Sequence, residues 1–183
     1  MESRRDYHHQ PLGSADSFRV FDLLPAKSKD DPVVIRIREV MLPLIEGDYE
    51  ALSYVWGAAP GHKIIFCDDL GHGCIEVTQN CFLALIHLRL PSGVRTLWVD
   101  SICIDQRQNA VSDQERKHQI QRMGDIYQSA HRVIIWLTFR EYGYKQLFQL
   151  LRELSRRHRL EQKGLVKVSQ VVGACFKGKV KLS

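Results

Sequence analysis

The polar residues with the most evident chemistry gather in one decapeptide, LWVDSICIDQ, at residues 97–106. Asp100 stands inside an apolar run with Ser101 beside it, and Asp105 and Gln106 close that run. A carboxylate among buried apolar side chains is costly unless it is paired or solvated. Ligand crevices in open α/β sheets lie outside the carboxyl ends of strands. Asp100, Asp105 and Gln106 are therefore the first candidates for a site, with Asp100 as the candidate reacting group. A second set lies in YEALSYVWG at 49–57. Ser53, Tyr54 and Trp56 approach the end of a predicted strand, where an indole can stack on a ligand. Gly57 lets backbone come close to it. The alternative for Tyr54 and Trp56 is aromatic packing in the core.

Glu115 is the third candidate and carries two readings. In S-x-x-E from Ser112 to Glu115 it completes a capping box at a helix start. As a carboxylate at a helix N-terminus it is also readily ionised, which makes it a poor general acid. Other chemistries find little footing. The loop GAAPG at 57–61 resembles neither a P-loop nor a dinucleotide-binding fingerprint. The five cysteines, at 67, 74, 81, 103 and 175, form no C-x-x-C. His62, Cys67, His72 and Cys74 match no standard zinc spacing, so no metal is expected. Cys103 lies between Ile102 and Ile104 and reads as an inert core thiol.

The elements that must hold these residues follow from periodicity. Leu97 to Ile104 is short and rich in β-branched residues, as is Val133 to Leu137; both are predicted strands. Between them Ile120, Met123, Ile126, Tyr127 and Ala130 recur at helical spacing. Strand, helix and strand make a βαβ crossover and a parallel pair. Upstream, Phe18 to Leu24 ends at Pro25, and VVIRIREV at 33–40 alternates as a half-exposed antiparallel edge strand. KIIFC and CIEV form a hairpin around DDLGHG. Thr78 or Asn80 caps a helix over 80–90 with Cys81, Leu85 and Leu88 on its buried stripe. His87, within it, reads as a boundary residue. Residues 1–16 are polar and expected to be disordered. Tyr144, Leu147, Phe148, Leu151 and Leu154 predict an amphipathic helix over 140–160, and residues 161–183 are a basic tail without usable period.

Composition bounds the class. With 183 residues and 44% hydrophobic content, the chain has enough apolar mass for one domain with tails. No apolar run approaches the roughly 18 residues needed to span a bilayer, and no secretory signal opens the chain. The net charge of +5 is uneven. Residues 140–183 hold 11 Lys or Arg against 3 Asp or Glu, while residues 1–139 carry a net −3. An acidic body with a basic tail argues against specific nucleic-acid binding. Reduced, cytoplasmic cysteines are the expectation.

Taken in order, YEALSYVWG, LWVDSICIDQ and ERKHQIQRMGDIYQSAHRVIIWL at 115–137 resemble the fungal heterokaryon-incompatibility (HET) domain, over roughly residues 18–138. The sequence departs from the usual WLG at Thr138. The resemblance implies a HET domain over 17–139 and a role in fungal non-self recognition and programmed cell death, a form of innate immunity. It also implies kinship to TIR domains, hence a flavodoxin-like, mainly parallel sheet flanked by helices, with the N-terminal antiparallel strand or hairpin added. Some TIR domains cleave NAD, so NAD is an expected substrate, with Asp100 or Glu115 as the carboxylate and Trp56 or Tyr54 holding the base. Glu141 and Glu153 stay in contention. No resident cofactor is implied. The alternative is a non-enzymatic module that self-associates or binds a signalling partner, in which Asp100 pairs with a backbone N–H or an arginine such as Arg95. Family members often continue well beyond this domain, so the chain reads as a short form, a fragment or a truncated gene model.

Overall fold

The computed structural model describes residues 5–41, 49–56, 62–68 and 73–136. Gly57, the expected helix over 140–160, Glu141, Glu153 and the basic tail lie outside the described residues.

The chain is α/β. Its strands are β1 (Arg5–Asp6), β2 (Ser17–Leu23), β3 (Val34–Met41), β4 (Glu50–Tyr54), β5 (His62–Cys67), β6 (Gly73–Thr78), β7 (Arg95–Trp98) and β8 (Arg132–Trp136). Its helices are α1 (Gln79–Leu88), α2 (Asp100–Cys103) and α3 (Ala110–Ser129). The strands form one sheet in the order β1-β6-β5-β3-β2-β7-β4-β8.

The sheet is mixed, which corrects the expectation of a mainly parallel one. Its longest ladder is antiparallel, β2 on β3 from Ser17–Met41 to Leu23–Ile35. The β5–β6 hairpin and the β2–β7 pair are antiparallel as well. Parallel pairing dominates one end, where β4 lies between β7 and β8. The predicted crossover from β7 through α3 to β8 exists, but β4 fills the space between its two strands. The N-terminal hairpin is not appended at an edge: β2 is central, with Phe18, Val20, Phe21 and Leu23 all buried. Its partner β3 pairs in turn with β5 over a short parallel register, Val34 with Phe66 and Ile35 with Cys67.

Local signals hold where they are short-range. Thr78 caps α1, its hydroxyl accepting from the Cys81 amide at 3.2 Å. In α3 the expected stripe divides. Ile126 is buried, and Met123, Tyr127 and Ala130 pack against the core, but Ile120 is 53% exposed. The buried residues of α3 are Ser112, Gln119 and Ile126. Two of the three are polar, because α3 docks through hydrogen bonds as much as through apolar contact. From residue 5 onward the stretch expected to be a disordered tail is tied to the body. β1 pairs with β6, and the Tyr7 amide donates to the Cys74 carbonyl at 2.9 Å.

Candidate functional site

β7, β4 and β8 run parallel, so their carboxyl ends meet at one rim of the sheet. Tyr54 stands level with Trp136 there. β7 stops at Trp98, and Val99, in extended backbone, caps the short turn α2. The Ile102 and Cys103 amides donate to the Val99 carbonyl at 3.0 and 2.8 Å. Asp100 is thus the first residue of a helical turn and not a strand residue, a correction to the expected strand over 97–104. The apolar run misled because one helical turn buries Ile102 and Cys103 as completely as a strand would. Asp100 itself favours the turn: its Oδ1 accepts from the Ser101 amide at 2.7 Å, the local bond by which aspartate competes with a ladder.

The other Asp100 oxygen, Oδ2, accepts from Trp56 Nε1 at 3.1 Å. The Trp56 ring is 46% exposed, so it is not core packing. The Tyr54 hydroxyl donates to Ser101 Oγ at 2.7 Å. Ser53 lies one residue back on β4, and the Tyr127 hydroxyl donates to the carbonyl of its neighbour Leu52 at 3.5 Å. Below the rim, buried Asn80 donates to the Val55 carbonyl at 2.6 Å and accepts from Trp136 Nε1 at 2.9 Å. Tyr54, Trp56 and Asp100 therefore share one locale. Ser101 and Asn80 join them; the sequence marks Ser101 only as the neighbour of Asp100 and Asn80 only as a candidate helix cap, neither as a site residue.

Burial raises the Asp100 pKa, while hydrogen bonds from the Ser101 amide and the Trp56 indole oppose the shift. No arginine or lysine of the described residues forms an ion pair with it. Of the partners expected for a structural Asp100, the backbone N–H is present in the Ser101 amide, whereas Arg95 is paired with Glu50, as is Arg132, at the opposite end of the same strands. Burial also lifts the Tyr54 hydroxyl above its ordinary range and pushes the Cys81 thiol up to about 12. Cys103 is likewise pushed up to about 12 by burial, as an inert core thiol should be.

Asp105 and Glu115 belong to a different network. Buried Asp105 accepts from Arg107 Nη2 at 2.6 Å, from Arg107 Nε at 3.0 Å and from Ser112 Oγ at 2.7 Å. Burial alone would raise its pKa, but these bonds outweigh that and hold the carboxyl well below the usual range. Glu115 accepts from buried Arg19 at 2.6 and 3.0 Å. The capping box is replaced: α3 begins at Ala110, and Asn109 caps it by accepting from the Ser112 amide at 3.0 Å. Ser112 is free to hold Asp105, and Glu115 points to β2. The same network grips residues 9 and 10: His9 Nε2 donates to the Ile102 carbonyl at 2.8 Å, and Arg19 Nη2 to the Gln10 carbonyl at 2.6 Å. Gln106 braces the turn, donating to the carbonyls of Asp100 and Ile104 at 3.3 and 3.1 Å. Among the described residues no group of three His, Cys, Asp or Glu side chains is placed to hold a metal ion.

A protein-family model described as heterokaryon incompatibility protein (HET) matches residues 49–172. The chain is also similar to heterokaryon incompatibility protein 6, OR allele, of Neurospora crassa. The two are 34% identical over 129 residues, covering 65% of this chain and 18% of that relative. The chain therefore spans well under two thirds of the length of the curated relative it matches. No solved structure matches it.

Proposed function

The chain belongs to the heterokaryon incompatibility (HET) family, and from that premise we propose that it is a signalling or effector domain of fungal non-self recognition, acting in the cytoplasm to promote programmed cell death by cleaving NAD. The TIR-like character this reading assumes draws support from one part of the sheet, the parallel trio β7, β4 and β8. No described helix is long and apolar enough to cross a membrane.

One observation carries the chemical part of the reading. Asp100 is a partly buried carboxylate with no cationic partner among the described residues, held beside an exposed indole at the carboxyl ends of parallel strands. Cleavage of the nicotinamide–ribose bond sends its electron pair to the nicotinamide nitrogen and leaves an oxocarbenium-like carbon, which water then attacks with loss of a proton. An uncompensated carboxylate stabilises that positive carbon. Trp56, with Tyr54, Ser53 and Gly57 nearby in the chain, holds the base. Asp105 and Gln106 support the turn. Glu115 is committed to Arg19, so Asp100 is the proposed catalytic group and Glu115 a structural one.

The test is nicotinamide release from NAD by the purified full chain over a wide range of protein concentration. Release that disappears in Asp100→Ala, with far-UV and near-UV circular dichroism unchanged, is the expected result. A folded wild-type chain that releases none at any concentration overturns the enzymatic reading and leaves a non-enzymatic interaction module.

A further inference from the structure

Helix α3 has two kinds of surface. Polar residues facing the body are engaged: Ser112 with Asp105, Glu115 with Arg19, and Gln119 with the Ser17 carbonyl at 3.0 Å. His118 and Arg122 both donate to the Ala15 carbonyl. On the outward side Gln114, Lys117, Gln121, Asp125 and Gln128 are exposed, and none makes a hydrogen bond or ion pair among the described residues. Their spacing is three, four, four and three residues, one continuous face of a helix. It reads the same in both directions about Gln121. Gly124 lies on this face too, and a Cβ built there meets nothing within 4 Å. Glycine weakens a helix interior relative to alanine, and no contact among the described residues calls for it here. Exposed Ile120 flanks the face.

We propose that this face pairs with the same face of a second copy of the chain, the two α3 helices antiparallel about a two-fold axis at Gln121. An isologous contact demands a self-complementary surface, and this one is self-complementary in charge. In the antiparallel register Lys117 of one copy stands level with Asp125 of the other, twice by symmetry, and Gln114 stands level with Gln128. A parallel pairing would set Lys117 against Lys117 and Asp125 against Asp125. Gly124 lets the backbones approach toward the short end of the usual interaxial range. The inference uses no residue of the Asp100 rim, so it stands or falls apart from the NAD reading.

A single helix pair is a small interface, so the dimer is weak, with a dissociation constant on the order of tens of micromolar. Sedimentation of the full chain across a concentration series spanning that range is the experiment. The wild type is expected to dimerise reversibly. Lys117→Glu and Asp125→Lys each replace two attractive pairs by two repulsive ones and are expected to weaken it about tenfold. The double variant K117E/D125K restores the attraction and the affinity. Gly124→Leu blocks close approach without lowering helix propensity and is expected to abolish the dimer while the fold holds. A wild type that stays monomeric throughout overturns the proposal. So do single swaps that dimerise like the wild type, or a double swap that fails to recover.

Discussion

Asp100 and Asp105 mark the start and the far side of one helical turn, yet the molecule treats them in opposite ways. Asp105 is buried under Arg107 and Ser112, and its carboxyl is held well below its ordinary range. Asp100 receives an amide and an indole N–H but no cation among the described residues, and burial lifts its pKa. Glu115, ten residues beyond Asp105, is paired with Arg19. The contrast separates carboxylates that hold the fold together from one left electrostatically unsettled. Unsettled groups gather at functional sites, although a shifted pKa alone does not make one.

The comparison is broken most directly from the compensated side. Arg19 joins the Gln10 carbonyl, the Cys103 carbonyl and Glu115. Arg19→Met leaves Glu115 without its cation and is expected to cost about 3 kcal/mol in urea unfolding. A loss under about 1 kcal/mol would mean that the network is solvated and the contrast overstated. Asp105→Asn is expected to cost about 2 kcal/mol near neutral pH. The sign follows from its lowered pKa: the native state favours the ionised form, so this stability is present above the ordinary carboxylate value of 3.8 and is lost as acid drives the folded group toward protonation. The gap between wild type and D105N should therefore narrow below about pH 4.

Asp100→Asn should shift stability the other way, and least. A raised folded pKa means that the fold disfavours the charge, so Asp100 lowers stability at neutral pH. Removing the charge is expected to add a few tenths of a kcal/mol once solvent screening is allowed for. The gain should vanish below about pH 4, where wild-type Asp100 becomes neutral in both states. A destabilisation of more than about 1 kcal/mol would show that Asp100 is as structural as Asp105.

Much of the framework was legible in the residues. The β5–β6 hairpin, Thr78 as the α1 cap, the strands over 33–40 and around Ile134 and the helix before β8 all follow from period and turn chemistry. So did the meeting of Tyr54, Trp56 and Asp100, since both segments end at the same rim. The start of α3 was misread because Asn109 and Ser112 are equally good caps; Ser112 lost the role to its bond with Asp105. Asp100 was placed in a strand because Ile102 and Cys103 suit either form of burial. The order of the strands and the weight of antiparallel pairing were not legible, since no local pattern tells β2 that its neighbours are β3 and β7.

What the chain alone determined is the set of elements and the location of its unusual carboxylates, because periodicity and capping act over a few residues. Which carboxylate receives a cation was decided by the tertiary structure. Arg19 and Glu115 are 96 residues apart in sequence, and Trp56 and Asp100 are 44 apart. Compensation of buried charge depends on such distant encounters, and only the folded sheet brings them about.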